Sequence, residues 1–110
     1  MNVDINTEIA KRFGINAAIV MTYLWNEHNE LLGDEKNKIH SKVWVRCSHK
    51  KLSVVFPFIT LNVARRALER LLSGGILIIG EFNPSRFDRT AWYAFTEHGY
   101  DLMEANYERE

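Results

Sequence analysis

The sequence predicts an α+β fold, mainly α, and three observations predict it. Apolar residues recur at helical spacing over residues 9–32 and again over 61–73, two β-branched and aromatic runs follow at 76–82 and 90–95, and Gly or Pro separates most of these segments. At 110 residues, 46% hydrophobic and 25% charged, the chain has the size and balance of one globular unit, so a single domain over 1–110 is expected.

Asn6 or Thr7 can cap a first helix, because Ile9, Ala10 and Phe13 follow at helical spacing and Gly14 stands at the C-cap. A second helix is expected at once. From Asn16 the pattern Ala18, Ile19, Met21, Leu24, Trp25, His28, Leu31 and Leu32 holds a helical period until Gly33 and Asp34. With Val20 and Tyr23 the stripe is wider than a surface helix buries. The helix is therefore either central to the core or half of a dimer seam, with Val20, Leu24, Trp25 and Leu31 as seam candidates. Residues 34–42 are polar and lysine-rich and read as a mobile loop.

Val43-Trp44-Val45-Arg46 reads as a short strand, and Ser48 can cap a helix over Lys50 to Val55 that Pro57 ends. After the apolar turn Phe56-Pro57-Phe58-Ile59, Thr60 caps a helix from Leu61 to about Ser73, closed by Gly74-Gly75. Two helices joined by a few residues make a helix-turn-helix candidate. The runs 76–82 and 90–95 then read as a β-hairpin with a basic tip across Asn83 to Arg89. Tyr100, Leu102, Met103 and Tyr107 place a final acidic helix over 96–107. Together these elements predict a winged helix-turn-helix with extra N-terminal helices and a C-terminal helix.

The charge is zero overall, from 14 basic and 14 acidic residues, but it is unevenly placed. Residues 1–35 carry two basic against six acidic side chains, residues 36–95 eleven against three, and residues 96–110 one against five. A basic middle between acidic ends suits one face built for a polyanion.

In the helix beginning after Thr60, Val63, Ala64, Ala67, Leu68, Leu71 and Leu72 form an inward stripe, which leaves Asn62, Arg65, Arg66, Glu69 and Arg70 outside. A B-DNA major groove admits one helix, arginine pairs bidentately with guanine and asparagine with adenine, so these residues with Thr60 are the candidate base readers. Lys50 and Lys51 on the preceding helix, and Ser85, Arg86 and Arg89 on the hairpin tip, are of the type that holds phosphates. The partner expected is double-stranded DNA.

Trp44, Leu52, Phe56-Pro57-Phe58, Arg65-Arg66, Leu68, Leu71, Gly75-Ile76 and Asp88-Arg89-Thr90-Ala91-Trp92-Tyr93 together resemble the winged-helix N-terminal domain of phage and prophage replisome organisers and replication initiators of the DnaD-like kind. The opening, Ile9-Ala10 with Phe13-Gly14-Ile15-Asn16-Ala17-Ala18, resembles the same group. The resemblance implies DNA binding in replication initiation, self-association as a homodimer or higher oligomer through the N-terminal helices, and replication proteins as further partners. The longer members carry a second domain that recruits a helicase or loader. None is expected here, which keeps transcriptional control and a remnant of a longer protein open.

Other chemistries find little support. Cys47 is alone, which fits packing and a reducing compartment. His28, His40, His49 and His98 lack the i, i+4 spacing with a carboxylate that helical zinc sites use, so no metal is expected. No phosphate-binding glycine motif and no nucleophile with a base appear, so neither a cofactor nor an enzymatic activity is expected. Trp25, Trp44, Trp92, Phe56, Phe58, Phe82 and Tyr93 read as core, with Phe87 the aromatic exception at the hairpin tip. With no secretory signal and no stretch long enough to span a bilayer, a cytoplasmic location is expected, away from membranes. The competing reading is a protein-interaction module in which the 18–32 helix is the working surface.

Overall fold

The computed structural model describes residues 6–108, with the side chains of residues 6–104. It is a mixed α+β structure. Helix α1 (Thr7–Phe13) starts where the Asn6 side chain accepts hydrogen bonds from the Glu8 and Ile9 N–H groups, at 3.0 and 3.2 Å. Gly14 both ends α1 and opens α2 (Ile15–Glu30), at φ 93° and ψ 161°, a conformation essentially reserved for glycine.

Helix α2 is the buried axis of the molecule. Nine of its sixteen residues are buried, because α1, helix α4 (Leu61–Ser73) and strand β3 (Val45–Arg46) pack around it. Val20, Leu24 and Trp25, offered above as a dimer seam, are 0, 1 and 5% exposed inside the chain's own core. The core alternative therefore holds for these three, and Leu31 is half-buried against the same cluster. Trp25 meets Phe95 and Tyr100 edge-on at 5.2 and 5.3 Å, so its surface is already covered.

The polar stretch after α2 is more ordered than its composition suggests. A 3-10 turn (Glu35–Asn37) leads into β1 (Lys38–Ile39), which pairs antiparallel with β2 (Lys42–Val43). His40 and Ser41 turn the ribbon at φ 54° and 64°. A two-residue hairpin turn needs positive φ at both central positions and is usually signalled by Asn-Gly, which is missing here. Trp44 supplies the anchor instead: its indole N–H donates to the Ile39 carbonyl at 3.0 Å, while its own carbonyl accepts from the Asn37 side chain at 3.0 Å.

The expected 43–46 strand divides between β2 and β3 (Val45–Arg46). Helix α3 (His49–Val55) is capped by Ser48, and α4 (Leu61–Ser73) by Thr60, whose hydroxyl accepts from the Val63 N–H at 3.2 Å. Strands β4 (Leu77–Gly80) and β5 (Trp92–Phe95) are shorter than the runs that predicted them. They form an antiparallel sheet with β3 in the order β3-β5-β4, in register at Val45 with Tyr93 and Leu77 with Phe95. Thr96 then accepts from the Gly99 N–H at 3.0 Å at the start of α5 (Glu97–Glu108); the Tyr107 side chain lies outside the described residues. Leu52, Leu68, Leu71, Ile76, Phe95 and Met103 join α3, α4, the sheet and α5 to α2 in one apolar cluster. No described helix is long and apolar enough to cross a membrane.

Candidate nucleic-acid interface

Helix α4 divides cleanly into two faces. Ala64, Ala67, Leu68 and Leu71 are buried, whereas Asn62, Arg65, Arg66, Glu69 and Arg70 are exposed, with Thr60 exposed at the cap. The period of 3.6 residues puts the first set under the second.

The exposed residues do not act alike. The Arg65 guanidinium donates to Glu69 at 2.9 Å and to Asn62 at 2.7 Å, so three candidate base readers form one chain of hydrogen bonds along the helix. An exposed i, i+4 pair of this kind is worth only about 0.3–0.5 kcal/mol, small beside a bidentate pair with a base at about 1–3 kcal/mol. The pair can therefore open at little cost, and meanwhile it restrains Arg65.

Arg70 is turned elsewhere. Its guanidinium donates to the Phe13 carbonyl at 3.1 Å, satisfying the C-terminal end of α1, and lies against Gly14 where a Cβ would be 3.0 Å away. This corrects its grouping with the base readers: the close approach of α1 and α4 gives it a partner 57 residues away in sequence. With Arg12 and Arg66 it lines an open cleft of about 680 Å³ between α4 and the α1–α2 corner.

The connection from β4 to β5 is an organised loop rather than a continued ladder, and Asn83 is its centre. The Asn83 amide donates to the carbonyls of Asp88 and Thr90 at 2.9 and 2.8 Å, and its oxygen accepts from the Trp92 indole at 2.8 Å and from Arg46 at 3.3 Å. Arg46 also pairs with the Asp88 carboxylate, whose pKa is held below the usual carboxylate value first by hydrogen bonds from Thr90 and then by Arg46. These bonds replace the ladder and explain why the strands are short. At the tip, the Ser85 hydroxyl accepts from the Phe87 N–H at 3.2 Å, and Arg86 lies over the Phe87 ring at 5.1 Å. Phe87 is 84% exposed. Lys50, Lys51, Arg66, Arg86 and Arg89 are exposed, and no ion pair among the described residues holds them.

Sequence reasoning missed Arg46, Asn83 and Asp88 as organisers of the loop. Asn83-Pro84 and Asp88 two before Thr90 are turn signals, but their partners come from β3 and β5. It also placed Phe58 in the core, whereas Phe58 is 67% exposed beside Val54 at 67% and Leu61 at 55%. The tight turn that seats Phe56 and Ile59 inward rotates Phe58 to the outside.

Two further groups resolve inward. His28 is buried, stacked on Trp25 at 5.0 Å and bonded to Asn29 and the Tyr100 hydroxyl; burial lowers its pKa, so the ring is held neutral. Burial pushes the Cys47 thiol up to about 12, which leaves it a packing residue. No protein-family model matches the chain, and no curated protein or solved structure matches it either.

Proposed function

We propose that the chain is a winged helix-turn-helix protein that binds double-stranded DNA, with α4 as recognition helix and the β4–β5 hairpin as wing. The observation that carries this reading is the outward face of α4, where Asn62, Arg65, Arg66 and Glu69 stand exposed along a thirteen-residue helix. Such a helix is about 20 Å long, enough to lie in a major groove. The element order α2, β3, α3, α4, β4, β5 and the sheet order β3-β5-β4 support the fold assignment. Arg65 and Arg66 supply guanidinium forks for guanine edges, Asn62 an amide for adenine, and Glu69 an acceptor for cytosine. Lys50, Lys51, Arg86 and Arg89 grip phosphates on either side, and the Asn83 network holds the wing in shape before DNA arrives, which reduces the ordering cost of binding.

On the resemblance we infer a role in replication initiation of the phage and prophage kind, with transcriptional control using the same contacts as the alternative. A homodimer reading two half-sites remains part of the proposal, but it must associate through surface other than Val20, Leu24 and Trp25. One observation favours a second reading: Val54, Phe58 and Leu61 form an apolar exposure around the α3–α4 turn, which suits a protein partner.

Fluorescence-anisotropy titration of mixed-sequence duplex at low and moderate salt separates the two. Salt-dependent binding that falls about tenfold or more in the Arg65→Ala/Arg66→Ala variant, with thermal unfolding unchanged, is the expected result. Equal affinity in that variant would sink the recognition-helix assignment. Absence of duplex binding, with association lost in Phe58→Asp, would move the function to the apolar turn.

A further inference from the structure

The cleft between α4 and the α1–α2 corner is a feature that base reading uses only in part. Arg12 comes from the last turn of α1, and Arg66 and Arg70 come from successive turns of α4. Three guanidiniums thus face one carboxylate, Glu69, and that carboxylate is already bonded to Arg65. A smaller hollow beside it, about 130 Å³, shares Arg66 and Arg70 and is also lined by Asn16 and Ala17 of the first turn of α2. Gly14 caps that helix without a side-chain hydrogen bond to its leading N–H groups.

We propose that this cleft is a phosphate-binding site that adjoins the base-reading side of α4 and shares Arg66 and Glu69 with it. Three exposed guanidiniums border one open cleft, and the planar fork of arginine matches phosphate oxygens bidentately. Arg70 is already oriented by the Phe13 carbonyl, leaving the rest of its guanidinium for a ligand. The three guanidiniums are the primary attraction, and the positive end of α2 adds to them. Gly14 is required at the centre, since a side chain there would strain the backbone and displace Arg70. The ligand chemistry is a phosphoryl group, carried either by a free phosphorylated molecule or by a DNA backbone passing the side of α4. The inference stands on the cleft alone and does not need duplex binding.

The test is a titration of the whole chain with inorganic pyrophosphate, followed by amide NMR shifts, with chloride at matched ionic strength as the blank. Saturable shifts at Gly14, Asn16 and Ala17 are expected, about tenfold or more weaker in Arg12→Ala and unchanged in Lys11→Ala, whose charge is adjacent but outside the cleft. Thermal unfolding of Arg12→Ala should match the parent, since Arg12 is exposed. Absent shifts, or equal affinity in Arg12→Ala, would overturn the site. Given pyrophosphate binding, duplex affinity that falls in Arg12→Ala, a cleft residue outside the base-reading set, identifies the backbone as the source, and duplex affinity unchanged in Arg12→Ala identifies a free phosphorylated molecule. Pyrophosphate binding without any duplex binding keeps the site and removes the DNA reading; duplex binding without pyrophosphate shifts does the reverse.

Discussion

Helices α2 and α4 are the two regular segments of this chain whose apolar residues repeat most clearly, and they are put to opposite uses. Around α2 the apolar positions extend beyond one face, and α1, α4 and the sheet cover them until even His28 is buried. Around α4 they stop at a stripe of Ala64, Ala67, Leu68 and Leu71, and the opposite side is arginine, asparagine and glutamate in water. A helix wrapped by its own chain keeps little apolar surface for a partner. A helix packed on one side keeps the other exposed.

The largest effect that tests this contrast is Leu24→Ala. Leu24 is 1% exposed in α2, so its truncation should destabilise the fold by about 2–5 kcal/mol in urea unfolding. A variant that kept its stability but dissociated an oligomer would restore the seam reading and break the comparison.

A smaller effect concerns the one buried histidine of α2. The folded-state pKa of His28 lies below its ordinary value of 6.5, chiefly through burial, so the unfolded chain takes up its proton first as pH falls. Its contribution is complete above about 6.5 and declines below that value as pH drops toward the folded pKa. The loss of stability between pH 7 and 5 should therefore be shallower in His28→Phe than in the parent. Parallel pH profiles would show that His28 charges as readily inside the fold as outside it.

The smallest effect belongs to α4. Asn62→Ala removes one exposed acceptor of Arg65 and should change stability by less than about 0.5 kcal/mol while altering duplex affinity in the titration above. A stability loss comparable to that of Leu24→Ala would mean that the outer face of α4 is structural.

Much of the fold was legible because its signals are local. As caps, Asn6, Ser48 and Thr60 accept from N–H groups within three residues of themselves, and Gly14 ends α1 because its backbone conformation excludes a side chain. The β1–β2 ribbon was not legible, since its turn residues His40 and Ser41 carry no such signal and Trp44 holds the ribbon from outside it. The candidate site was legible in half. Arg65 and Arg66 follow from the period of α4, but the division of that face depends on neighbours. Asn83 became a hub only when β3 and β5 brought Arg46 and Trp92 to it.

The sequence by itself determined where helices start and stop, that α4 is one-sided, and that basic residues concentrate between acidic ends, because caps, periodicity and composition act over a few residues. Only the tertiary structure decided that Val20, Leu24 and Trp25 of α2 are core residues, that Arg70 serves the α1–α2 corner, and that Arg12 joins Arg66 there. Those outcomes depend on which surfaces meet. A stripe of apolar residues states only that it will be covered, and the packing of distant segments decides by what.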